Sequence, residues 1–114
     1  MVKALLIRVD GTVSDITIDG LDDMQKAIGG YIEAVYLPLR QMGYIDEEGK
    51  LKSKPVNHLA SAIFDNPSDV IAGDMLVLGD DGEGGNADVD EKFIFLIRKT
   101  ISNMMTDLMQ GEVQ

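Results

Sequence analysis

The sequence predicts an α+β domain: a mainly antiparallel sheet of four to six strands with helices packed on one face and a long C-terminal helix. Three observations predict it. Apolar runs of strand length recur at Val2–Val9, Tyr31–Leu37 and Met75–Leu78, and Asp-Gly, Gly-Gly, Asn-Pro and glycine-rich breaks punctuate the chain. Two other segments, near Leu21–Ile28 and Val89–Met109, carry apolar residues at helical spacing. The chain has 114 residues, 45% of them hydrophobic, which is the size and composition of one domain, so 1–114 is read as a single unit.

Val2–Val9 has a continuous Ala4–Ile7 centre, the mark of a strand buried on both faces. Asp10-Gly11 follows and predicts a type I′ hairpin turn into a return strand over Thr12–Ile18. Asp19 stands where an N-cap belongs, with Asp22 and Asp23 in the positive first turn and Leu21, Met24, Ala27 and Ile28 on one stripe. Gly29-Gly30 then stops the helix. In Tyr31–Leu37, residues Ile32, Ala34 and Tyr36 face one way and Tyr31, Glu33, Val35 and Leu37 the other; Pro38 ends regular pairing.

Gln41–Ile45 reads as a further strand, and Glu47-Glu48-Gly49 as a turn into a short extended stretch through Leu51. Asn57 suits the N-cap of a short helix through Ala60, Ile63 and Phe64, and Asn66-Pro67 signals a turn. Gly73-Asp74 introduces the apolar strand at Met75–Leu78, and an acidic, glycine-rich loop follows from Asp80 to Ala87. The last helix is the clearest. Phe93, Ile97, Ile101, Met104, Met105 and Leu108 recur along it at i, i+3, i+4 and i+7 spacing. That stripe is wide enough to serve either as core or as an oligomer surface, and its methionine-rich end suits adaptable packing.

Charge narrows the function. Twenty acidic against ten basic residues give a net charge of −10, which disfavours direct binding to nucleic-acid phosphates or anionic membranes. No apolar run reaches the roughly 18–20 residues of a membrane span, and the N-terminus lacks a signal peptide's apolar core. The absence of cysteine removes disulfides, thiolate metal sites and thiol catalysis. One histidine, His58, has no serine or threonine motif beside it, and no catalytic constellation is visible.

The acids are unevenly placed. Asp80, Asp81, Glu83, Asp88, Asp90 and Glu91 belong to a stretch from Asp65 to Glu91 that contains no Lys or Arg. This acidic surface is a candidate partner-binding site, and it could imitate DNA in a basic groove. Its plainer reading is a solvated loop with Asp88 or Asp90 capping the last helix. Counted from Asp80, Gly85 and Glu91 take the sixth and twelfth places of a calcium loop, but Gly82 and Gly84 stand where ligands belong, so no metal and no cofactor is expected. Lys50, Lys52 and Lys54 alternate with His58 close behind, an anion-binding strip if the segment is extended, or an edge protected by lysines. Glu33 and Asn57 are polar groups amid apolar neighbours that need solvent or a partner.

The combination Lys3-Ala4-Leu5-Leu6-Ile7-Arg8, Asp10-Gly11-Thr12, Ile18-Asp19-Gly20-Leu21 and Gly29-Gly30-Tyr31-Ile32-Glu33-Ala34-Val35 is informative as an ordered set. Asp46-Glu47-Glu48-Gly49-Lys50-Leu51-Lys52, Pro55-Val56-Asn57, Ala60 and Val70–Gly79 continue it. Over roughly residues 2–80 the chain resembles an uncharacterised, domain-of-unknown-function family of small bacteriophage, prophage and plasmid proteins. The resemblance implies an accessory protein of a mobile element, located in the cytoplasm of a bacterial host, and carries no activity with it. The expectation is a non-enzymatic binding protein, such as a host-defence antagonist that occupies a bacterial host protein through its acidic surface. The alternatives are sequestration of a small anionic, nucleotide-type ligand at the lysines, and a carboxylate-dependent enzyme.

Overall fold

Val2–Ile7 (β1) is apolar from Ala4 to Ile7, and all four of these side chains are buried, so the strand is covered on both faces. It lies inside a six-stranded sheet with Val13–Ile18 (β2), Ile32–Tyr36 (β3), Gln41–Asp46 (β4), Met75–Asp80 (β5) and Asn86–Ala87 (β6). The path is β2-β1-β5-β4-β3, β6 pairs with β5, and every pairing is antiparallel. This computed structural model describes residues 1–64, 66 and 68–113, with side chains described through Met109. Asp65 of the acidic stretch and Pro67 of the expected turn lie outside the described residues.

The sheet's two faces have separate cores. Ala4 and Leu6 of β1 join Leu76 and Leu78 of β5 beneath Met24 and Ile28 of the helix Leu21–Ile28 (α1). Leu5 and Ile7 join Met75 and Val77 on the other face, under Leu59 and Ile63 of His58–Ile63 (α2) and Phe93 and Ile97 of Glu91–Val113 (α3). The α+β class, the antiparallel sheet and the long final helix are all present. The expectation that helices pack on one face holds for α2 and α3 and is corrected for α1. A central strand apolar at consecutive positions needs cover above and below, and α1 supplies the second layer.

Local corrections have local causes. The β1–β2 turn is no two-residue type I′ turn: Gly11 donates to the Arg8 carbonyl, Arg8 donates to Thr12, and only Gly11 in this turn has positive φ. At α1 the N-cap is Gly20, while Asp23 reaches back to accept the Asp19 N–H, so Asp19 does not cap. Asp90 precedes α3 and accepts the Lys92 N–H.

β3 and β4 form a hairpin that the sequence hides. Leu39 and Arg40 both have positive φ, 61° and 58°, in a turn closed by Gln41 N–H on the Pro38 carbonyl. The buried Gln41 side chain secures it, donating to the Leu39 carbonyl at 3.0 Å and accepting the Asp90 N–H at 2.9 Å. Left-handed backbone costs a side-chain-bearing residue about 1–2 kcal/mol. Arg40 is exposed, so Arg40→Gly is expected to stabilise the protein by about 1 kcal/mol, seen as a rise in Tm of roughly 4 °C. An unchanged or lower Tm would show that this turn is unstrained.

Candidate functional site

Antiparallel register decides which side chains share an end of the sheet. Leu5 faces Val77 and Ile7 faces Met75, so β5 finishes beside the start of β1. Asp80, Asp81 and Glu83 therefore emerge at the end where Val2 and Ile18 meet, which is also where α1 begins with Asp22 and Asp23. Asn86 touches the Met24 sulfur, joining the acidic loop to α1. Asp88, Asp90 and Glu91 complete this end as the chain turns into α3.

Its backbone is pinned in several places. Asp88 accepts the Lys3 N–H at 2.8 Å, and Val89 donates to the Lys3 carbonyl. A Cβ on Gly79 would stand 2.4 Å from the Asp88 carbonyl oxygen, so only glycine lets the chain cross β5 here. Asp81 accepts the Glu83 and Gly85 N–H groups, which hold its carboxyl below the usual carboxylate range. Tyr44 donates to Asn86, and burial with the nearby Asp80 charge pushes its phenol up. Asp80, Asp81, Glu83, Asp88, Asp90 and Glu91 are all exposed. The arrangement is an acidic end, open to solvent and carried on ordered backbone.

The opposite end is organised around a residue that sequence reading did not single out. Asp46, the last residue of β4, is buried and takes Lys54 Nζ at 2.7 Å, Lys52 Nζ at 2.9 Å and the Glu48 N–H at 2.9 Å. Burial opposes its charge, but the hydrogen bonds from Lys54, Lys52 and Glu48 win and hold the carboxyl well below the usual range. Asp46 in turn holds the Lys52 ammonium above its ordinary value. Lys54 also donates to the Ile28 carbonyl at the end of α1, so one ion cluster ties the sheet, α1 and the 47–54 segment together. A Cβ on Gly30 would lie 3.0 Å from the Asp46 carboxylate and 2.9 Å from Lys52 Nζ.

Lys50, Lys52 and Lys54 consequently form no extended strip. Residues 47–53 wind in consecutive turns, with Lys52 donating to Glu48 and Lys54 to Gly49, and Ser53 at positive φ. Lys50 pairs with Asp69. His58 sits elsewhere, at a groove of about 370 Å³ with Leu59, Met104, Met105 and Leu108. The expected grouping of the lysines with His58 is corrected, because Asp46 recruits two of them.

The other singled-out residues separate cleanly. Asn57 is fully buried, donates from one amide to the Ile7 and Gly73 carbonyls and accepts the Ala60 N–H. Glu33 is exposed on β3. Phe93 and Ile97 are core residues at 0% and 2% exposure, which removes them from any oligomer surface. Ile101 and Met104 are half-buried, whereas Met105 and Leu108 are exposed where α3 runs past the sheet. Geometry explains the overshoot: 23 helical residues span about 34 Å and six strand residues about 20 Å. Among the described residues no group of three or more His, Asp or Glu is placed to hold a metal ion, and no helix is long and apolar enough to cross a membrane.

Comparison with known families now adds one decisive match: a family described as a domain of unknown function, DUF3846, covers residues 2–102. The chain belongs to that family. The match runs beyond the stretch of resemblance noted above and takes in the first half of α3, including the core residues Phe93 and Ile97. No curated protein and no solved structure matches the chain. Within this DUF3846 domain, the acidic end and the Asp46 cluster occupy opposite ends of one sheet.

Proposed function

We propose that this DUF3846 protein is a stoichiometric, non-enzymatic binding protein that engages a positively charged protein surface through its acidic end. One observation carries the reading. The fold gathers Asp80, Asp81, Glu83, Asp88, Asp90 and Glu91 with the start of α1 at a single end, while Lys50, Lys52 and Lys54 are spent on Asp69 and Asp46. Lys3, Arg40 and Lys92 lie at the same end, but the acids outnumber them, and a predominantly negative surface steers an oppositely charged partner and discriminates against like-charged ones. The setting belongs to the same proposal: a phage or other mobile-element product acting in the cytoplasm of a bacterial host, for instance as a host-defence antagonist. That part rests on the resemblance over residues 2–80. A nucleotide-type anion at the lysines would first have to displace the Asp46 and Asp69 carboxylates, so the acidic end is preferred.

The test is capture of proteins from bacterial lysate on the immobilised protein over a series of salt concentrations. A specific partner should be retained at low salt and released steeply as screening rises. Retention indifferent to salt, or turnover of a small molecule by the purified protein, would overturn the reading.

A further inference from the structure

We propose that the protein pairs with a second copy of itself along the outer edge of β3, joining two sheets into one. β3 is the last strand on its side of the sheet path, and Glu33, Ala34 and Tyr36 are exposed, with Tyr36 80% accessible. The register fixes which backbone groups β4 leaves unbonded. Leu37 donates to the Gln41 carbonyl and Glu47 to that of Tyr31, so the alternating set Tyr31, Glu33, Val35 and Leu37 bonds inward to β4. The N–H and C=O groups of Ile32, Ala34 and Tyr36 point outward.

That outward set is self-complementary. About a two-fold axis at Ala34, the two Ala34 residues face each other and each Ile32 faces the other copy's Tyr36. All three facing pairs then fall on residues whose hydrogen-bonding groups point away from β4 and have no partner among the described residues. Tyr against Ile is a favourable cross-strand pair. The strand's one charge, Glu33, falls opposite Val35, so the two carboxylates do not confront each other. Ile32–Tyr36 contains no Lys and no Pro, the usual guards of an edge. The other edge, β2, is different. Its outward set is Val13, Asp15 and Thr17, and the matching two-fold would set Asp15 against Asp15.

Charge is compatible with the same partner. Tyr36 lies toward the acidic end and Ile32 beside Asp46, so antiparallel pairing places one copy's acidic end next to the other's Asp46 end, where Lys50, Lys52 and Lys54 are already paired with Asp69 and Asp46. Two chains of net charge −10 thereby keep their most acidic regions apart. This pairing does not depend on the acidic-end reading of function.

Light scattering at a few hundred micromolar is expected to give twice the 12.4 kDa chain mass. Ala34→Lys puts two ammonium groups at the axis and should give the monomer, with an unchanged circular dichroism spectrum because Ala34 is exposed. Ala34→Cys should cross-link on mild oxidation, since Cα atoms about 5.5 Å apart in a hydrogen-bonded pair lie within disulfide reach. The chain has no other cysteine to compete. A wild-type mass of one chain would overturn the proposal. So would a dimer that survives Ala34→Lys, or one that is lost with Leu108→Lys instead, which would place the contact on α3.

Discussion

Replacing Asn57 by alanine is expected to remove about 3–5 kcal/mol of stability, the largest loss from any single polar substitution in the chain. The side chain touches three elements at once: the Ile7 carbonyl ending β1, the Gly73 carbonyl before β5 and the Ala60 N–H of α2. Alanine leaves all three groups buried without partners, at about 1–3 kcal/mol each before relaxation. A domain of this size has about 6–15 kcal/mol in total, so the urea midpoint should fall by a molar unit or more. Asn57→Asp is more specific. It keeps the acceptor for Ala60 but aims a buried carboxylate at two carbonyls, so its deficit should shrink as the pH falls and the carboxyl gains a proton to donate. A loss below 1 kcal/mol for Asn57→Ala would mean that these elements are joined by packing alone.

Asp46→Asn should have the second largest effect, about 2–3 kcal/mol at pH 7. Breaking a buried ion pair by removing one partner typically costs 3–5 kcal/mol, and the partial exposure of Lys52 and Lys54 lets water recover some of that. The pH dependence follows from the lowered pKa of Asp46. The stabilisation is complete above the ordinary value of 3.8 and is lost as the pH drops toward the folded value. Urea unfolding at pH 7 and pH 3 checks this: the gap between wild type and Asp46→Asn should narrow at the lower pH. A gap that is constant across pH would mean that Asp46 acts by shape and not by charge.

These two residues show what was legible in the sequence. Asn57 could be singled out because an amide ahead of Leu59, Ala60 and Ile63 is an N-cap pattern, and a polar group there must find partners. Asp46 was hidden. Lys50, Lys52 and Lys54 alternate as in a strand, and alternation alone cannot distinguish an extended strip from turns wound around a buried carboxylate. The signal that could have found it is an aspartate closing the apolar Tyr44-Ile45 run, with two lysines a few residues on.

The β3–β4 hairpin was obscured for a different reason. Its left-handed residues are Leu39 and Arg40, where turn chemistry favours Gly, Asn or Asp, so no local propensity marks the turn. The tertiary contact through Gln41 to Asp90 holds it instead. The second helical layer was implicit from the start, because consecutive buried positions from Ala4 to Ile7 cannot be satisfied by helices on one face. The acidic loop was visible as composition. Only the register of β1 against β5 brings it to the same end as Asp22 and Asp23.

On the proposed function, the Asp46 end holds the molecule together and the acidic end binds. The most direct measurement is capture from bacterial lysate by the variant Glu83→Lys/Glu91→Lys, alongside its thermal unfolding. Both residues are exposed and neither side chain holds the backbone among the described residues, so the variant should melt within a few degrees of wild type while losing the salt-sensitive partner. Undiminished capture by this folded variant would contradict the claim that the acidic end is the working surface.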